Sequence, residues 1–276
     1  MAKTAVVKKK VQEVVLSNVD QLFEENAGAG LATAPRDNVV PLIKIIQDQT
    51  KADVKKILDD AGGKTGDLYN NVSYEIYDGD QGLIVVPCAY NRRYFVWGGG
   101  DFEGKPPIAV YTPEDKLPEI EGNAQNPDDR KQYIKGAGDG SYLEEQANHF
   151  VLVCKENGQY EPAIVVMKSS QFKNSRRWNS MINSQTREGK NGIFTPPRYA
   201  NKYLLKSTDE TNAKGSYKGF NVSHYSQVNG DEQHLVERAI SFAKSVEEDN
   251  VSNASFSEDN SASNKEDDNA ISKIVG

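Results

Sequence analysis

The chain has 276 residues and a formal net charge of −7, with 37% hydrophobic and 26% charged residues, the composition of a folded protein somewhat rich in polar groups. No run of about 18 apolar residues exists, which excludes a membrane-spanning helix. The stretch Met1 to Lys10 carries charge with no apolar run behind it, so no secretory signal is expected. The mean hydropathy of −0.67 points to a part of the chain that does not fold.

Residues 1–35 read as an arm and linker, with a short amphipathic helix over Val11 to Phe23 and a flexible Gly- and Ala-rich stretch from Ala27 to Ala34. Residues 36–246 carry nearly all the apolar and aromatic content and are expected to form one domain. A helix is expected over Lys51 to Ala61. Short strands follow: Ser73 to Tyr77 alternates, Gly82 to Cys88 is a buried-strand run, and Tyr90 to Trp97 is aromatic and basic. Residues 98–143 are rich in Gly, Pro and Asp and read as a long inserted loop. From Asp101 to Glu145 eleven acids face five bases.

His149 to Cys154 and Ala163 to Met167 are β-branched or apolar. With Asn157-Gly158 between them they predict a hairpin that pairs Val151–Cys154 with Ile164–Met167. Ser169 or Ser170 can cap a helix running to about Ser184, with Phe172, Ser175, Trp178 or Asn179, and Ile182 on one face. That periodicity favours the core for Trp178, with a stacking platform as the other reading. Tyr203 to Lys206 and Tyr217 to Tyr225 are weaker strands. Asp231 can cap a last helix with Leu235, Ala239, Phe242 and Val246 as its stripe. Cys88 and Cys154 sit in apolar runs and read as small buried hydrophobes. The pattern predicts a mainly β chain with a few helices (α+β), and an oligonucleotide-binding (OB) Greek-key barrel with an insertion suits it best.

Residues 247–276 hold eight acids against Lys265 and Lys273, a net of −6, amid Ser and Asn. Such a tail cannot offset the entropy of its own ordering and is expected to be disordered. Residues 1–246 therefore net only −1.

Charge inside the domain is segregated. Lys168, Lys173, Arg176, Arg177, Arg187, Lys190, Arg198, Lys202 and Lys206 face only Glu188, a net of +8 over 39 residues, with Phe172, Trp178, Phe194, Tyr199 and Tyr203 interleaved. Arg92-Arg93-Tyr94-Phe95-Val96-Trp97 is a smaller cluster of the same kind. Cations that follow a phosphate backbone, mixed with rings on which bases stack, suit single-stranded nucleic acid. The competing reading is a solvated basic face. Arg92, Arg93, Lys173, Arg176, Arg177, Arg187, Lys190, Arg198 and Lys202 are the phosphate candidates. Tyr94, Trp97, Tyr199 and Tyr203 are the stacking candidates, although Tyr94 and Trp97 fall on opposite faces of a regular strand. Asp78 and Asp80 lie in a predicted turn. No spacing suggests a metal site, cofactor or catalytic set, so a non-catalytic protein is expected.

The strings Val40 to Gln47, Gly66 to Asn70, Gly82 to Trp97 and Met167 to Ser180 resemble bacteriophage single-stranded DNA-binding proteins of replication and recombination. That resemblance implies an OB barrel, single-stranded DNA as partner, a cytoplasmic location in an infected host, no membrane association, and compatibility with a homodimer. It also implies that the acidic tail occupies the basic groove until DNA displaces it and recruits replication or recombination proteins, here through Glu266, Asp267 and Asp268. The family's tails usually finish on an aromatic residue. This one ends Ile271-Ser-Lys-Ile-Val-Gly276, with Ile274 and Val275 as the available apolar anchor. A virion assembly protein and a metal-dependent nuclease or recombination accessory enzyme are the alternatives.

Overall fold

Two long strands organise the domain. The computed structural model describes residues 18–26, 29, 39–100, 105–123, 131–212 and 215–248. Strands β4 (Leu83–Trp97) and β8 (Tyr142–Cys154) run antiparallel from Val85 opposite Val153 to Trp97 opposite Tyr142. The two runs read as separate segments, 82–88 and 90–97, are thus one strand. Its register shifts between Pro87 and Ala89, where proline has no N–H to give to a ladder. The extra residue of such a bulge changes which face later side chains take. Val86, Cys88 and Ala89 pack on one face, whereas Val85 and Tyr90 pack on the other.

The remaining strands flank this pair. On the β4 side the first half pairs with β12 (Asn201–Asn212), which forms a long hairpin with β13 (Gly215–Gln227). On the β8 side β9 (Tyr160–Lys168) pairs along nine residues. The β8–β9 turn forms at Asn157-Gly158 as expected, with Gly158 at φ +80°. The register differs from the expected one: Val151 faces Ala163, and Ile164 faces Phe150, because the turn closes tightly on Lys155 and Gln159. The weakly signalled strands at 203–206 and 217–225 are the longest hairpin of the domain. Its polar residues fill the solvent side, while Phe220 and Val222 alternate inward.

The insertion is not a plain loop. It contributes β5 (Ala109–Tyr111) to the second half of β4, β7 (Gln132–Ile134) to β8, and β6 (Ile120–Glu121) to the outer side of β7. The chain is mainly β, with antiparallel ladders and few helices. Among the described residues the ladder does not close into a barrel, which corrects the expected closed form. Its β13 and β9 edges are both met by residues 41–47. Ile164 N–H donates to Pro41 O at 2.8 Å and Leu42 bridges Ile164 in parallel. The Gln47 amide donates to Lys218 O at 2.6 Å and accepts from Lys218 N–H at 3.0 Å.

A small sheet of β1 (Ile43–Ile45), β2 (Leu68–Asn70) and β3 (Ile76–Tyr77) carries helix α2 (Ala52–Asp60) on the cluster of Ile46, Leu58 and Tyr69. Tyr74 takes a left-handed φ of +56°, so the strand expected over 73–77 shortens to its last two residues.

Two helices cover opposite faces of the large sheet. Helix α3 (Phe172–Asn183) buries Ser175, Trp178 and Ile182 against the face holding Val85, Val151 and Tyr203. A 3-10 turn at Ser169–Gln171 precedes it, so neither serine caps it. Helix α4 (Gln233–Glu247) buries Leu235, Ala239 and Phe242 against Val86, Phe150 and Leu152. Its N-cap is Glu232 rather than Asp231, and its last turn includes Glu247, the first residue of the expected tail. Each fully buried large side chain contributes roughly 1.5–3 kcal/mol, so the sheet has a working core on both faces. In the N-terminal unit, helix α1 (Asn18–Glu25) overlaps the expected amphipathic helix, whose first residues lie outside the described ones. The acidic segment 249–276, with Glu266, Asp267, Asp268, Ile274 and Val275, also lies outside the described residues.

Candidate nucleic-acid interface

Helix α3 sets the geometry. Its buried face is fixed by Trp178, so Lys173, Arg176 and Arg177 are turned outward and exposed. Lys173 pairs with Glu210 at 2.8 Å. Arg176 and Arg177 stay unpaired among the described residues. Phe172 draws Arg92 of β4 to the start of the helix, with the guanidinium 5.7 Å from the ring centroid. Partial burial of Arg92 works against its charge, yet Tyr90, Glu145 and Tyr94 around it outweigh that and raise its pKa. Glu145 lies 3.2 Å away. Arg92 and half-buried Tyr94 therefore join the α3 surface.

Arg198 reaches the same helix from the other side, donating to Asn179 Oδ1 at 2.8 Å and lying over the Tyr90 ring at 5.5 Å. Burial lowers its pKa, and most of its surface is spent on structure. Arg187 donates to the Ala200 carbonyl. Lys168 pairs with Glu144 at 2.8 Å and Lys206 donates to Asp80 O. The count of nine cations therefore overstates the free charge, because acids from distant stretches answer several of them.

Five candidates fall elsewhere. Tyr203 is 0% exposed and packs edge-on against Trp178 at 6.0 Å, so it is core and no platform. Trp178, likewise 0% exposed, is core too. Lys202 pairs with Glu232, and Tyr199 packs with the α4 cluster, both away from α3. Trp97 stacks on buried Phe95 with centroids 6.1 Å apart. It lies three residues from Tyr94 along a regular stretch of β4, hence on the opposite face, as the strand period demands. Arg93 donates to Arg92 O and lends its charge to hold the Asp115 carboxyl down, after the hydrogen bonds of Thr112.

One element escaped sequence reading. Residues 187–194 form a hairpin of β10 (Arg187–Gly189) and β11 (Gly192–Phe194), with Gly192 at φ +108°. Lys190 and Asn191 make its tip. Ile193 is 79% exposed and Phe194 47% exposed. The signal was Asn191-Gly192, a strong short-hairpin dipeptide. An exposed ring beside an exposed cation is the pairing that stacking on a base needs.

The buried polar residues do other work. His149 is stacked on Trp178 at 4.4 Å, and its Nε2 lies 2.8 Å from Ser175 Oγ. Burial, then the charge of Arg198, holds its pKa well below the usual value, so it sits in the core as neutral imidazole. Cys88 and Cys154 pack on the opposite face, next to α4, and do not meet it. Burial pushes their thiols up to about 12 and about 11. Asp78 accepts from the N–H groups of Asp80 and Gln81, both at 2.8 Å, which holds its carboxyl low. That carboxylate has a turn to stabilise. No helix among the described residues is long and apolar enough to cross a membrane.

The fold and surface define a mainly β protein in which α3 bears three cations and no acid, followed in sequence by a hairpin with an exposed ring. The chain belongs to the Pam3 phage gp34-like protein family, whose model matches residues 10–252, and is thus a phage protein. No curated protein and no solved structure matches it.

Proposed function

We propose that this chain is a non-catalytic single-stranded DNA-binding protein that coats and protects DNA during phage replication or recombination in the infected cell. The observation that carries the reading is the exposed pair Arg176 and Arg177 on α3, followed in the chain by the Lys190–Phe194 hairpin. Cations without acidic partners release counterions when they meet phosphate, and exposed rings take bases regardless of sequence. Arg92 and Tyr94 extend the surface onto β4. An OB-like arrangement, with its sheet left open among the described residues, belongs to the same proposal. It is supported by the contacts of residues 41–47 with both edges of the open sheet.

The acidic C-terminal segment competes with DNA for this surface and docks partner proteins. The test is fluorescence anisotropy of the full chain with a labelled oligonucleotide and its duplex at low salt. Single strands should bind at least tenfold more tightly, and equal affinities would overturn the proposal. A virion assembly role is the second reading. The exposed Ile193 side chain of β11 favours it, since an exposed apolar residue on a hairpin strand also suits a protein contact.

A further inference from the structure

The small sheet has two unlike faces. Ile43, Ile45 and Leu68 turn to the core of the large sheet, whereas Ile46 and Tyr69 turn to helix α2. Lys44 stands opposite Tyr69 in the β1–β2 ladder, so its side chain shares the second face. A cavity of about 520 Å³ lies there, beside the start of α2, within the range of small-molecule sites.

Its walls are rich in donors. Helix α2 has no side-chain cap at Lys51, and the N–H groups of Asp53 and Val54 find no acceptor among the described residues. Such a helix start favours an anion. Thr50 Oγ1 accepts from Gln47 N–H at 2.9 Å, which leaves the hydroxyl proton to give. Lys44 and Lys51 add positive charge to the lining, and Asp53 is its one acid.

Tyr69 points to a ligand independently of the helix. It is only 5% exposed, and its hydroxyl makes no hydrogen bond among the described residues. That hydroxyl is not sealed in the interior, and the cavity that Tyr69 lines is where it opens. Burial, then the neighbouring Tyr74 phenol, pushes it up to about 12, so at neutral pH it is a donor. A donor taken out of water without an acceptor loses free energy that a bound oxygen restores. Tyr74 and Val72 add an apolar wall to the same cavity. Their turn is held by Asn70 Oδ1, which accepts from the N–H groups of Val72 and Ser73 at 2.9 and 3.1 Å.

We infer that this cavity holds the phosphate of a nucleotide at the start of α2, with the nucleoside against Tyr74 and Val72. A free nucleotide and the phosphorylated end of a strand present the same chemistry. The site is built from other residues than the α3 surface and stands without the single-strand-binding reading. Two substitutions probe it in opposite directions. Tyr69→Phe removes the donor and keeps the ring, and Asp53→Asn removes the one charge that repels an anion.

The experiment is calorimetric titration of the full chain and both variants with thymidine 5′-monophosphate and with thymidine. Anisotropy with (dT) oligonucleotides carrying a 5′-phosphate or a 5′-hydroxyl accompanies it. The monophosphate should bind at least tenfold more tightly than thymidine. Tyr69→Phe should weaken it roughly tenfold, and Asp53→Asn should strengthen it roughly two- to fivefold. A preference for the phosphorylated strand that Tyr69→Phe abolishes supports the site and assigns it to strand ends. Monophosphate binding without that preference supports it and assigns it to free nucleotide. Thymidine bound as tightly as the monophosphate, or affinity that either variant fails to move in its direction, overturns the site. Strand binding with no phosphate preference and no monophosphate binding overturns it and leaves the proposed function intact. Monophosphate binding without strand binding upholds the site and overturns the proposed function. Circular dichroism melts confirm that the variants fold.

Discussion

Replacing Arg176 and Arg177 together with alanine should flatten the salt dependence of single-strand binding without changing the fold. Both side chains are exposed on α3 and unpaired among the described residues, while Trp178 and Ile182 hold the helix from its other face. Each phosphate contact on a single strand contributes about −0.7 to the slope of log K against log salt. Losing two should make the slope shallower by about 1.4, with the melting temperature unchanged. Lys173→Ala should change the slope by less, since its ammonium already answers Glu210. Lys202→Ala should leave it alone, because that pair with Glu232 lies on the α4 side. Anisotropy titrations over a potassium chloride series measure all three. An unchanged slope in the double variant, or an equal loss in Lys202→Ala, would refute the assignment of the surface.

Three further outcomes follow from the same geometry. Phe194→Ala should weaken single-strand binding by about 1–3 kcal/mol, the range for one stacked base, with no loss of stability; unchanged affinity would return the hairpin to the assembly reading. A chain stopped after Glu248, which keeps α4 whole, loses six acids and two lysines and should bind the strand more tightly at low salt, the gain vanishing at high salt. His149 makes stability depend on pH. Its folded pKa lies well below the unfolded value near 6.5, so only the unfolded chain gains a proton as pH falls through that value. Stability is therefore full above about pH 6.5 and should drop by about 1 kcal/mol between pH 7 and 5.5. Urea unfolding at the two pH values should show this in wild type and not in His149→Gln.

Much of the architecture was legible where a local signal matched the tertiary outcome. The 3.6-residue spacing of Phe172, Ser175, Trp178 and Ile182 announced α3, and Asn157-Gly158 announced the β8–β9 turn. The β12–β13 hairpin was faint because only one face of it is apolar, and its ladder with β4 joins stretches far apart in sequence. The bulge near Cys88 was invisible, since Pro87 reads equally as the end of a strand. Of the candidate site, the residues on α3 and at Arg92 came together. The linear charge count failed where acids at positions 144, 210 and 232 fold back onto Lys168, Lys173 and Lys202. Tyr203 failed for a related reason: a ring in a basic stretch says nothing about which side of its strand it takes.

The central claim is that a single strand lies across α3 and the neighbouring hairpin. Hydrogen exchange of the full chain, with and without a (dT) oligonucleotide, tests it most directly. Exchange should slow at residues 172–194 and at 90–94 of β4, with the α4 side unaffected. Slowing confined to α4, or no change anywhere at saturating DNA, would contradict the account.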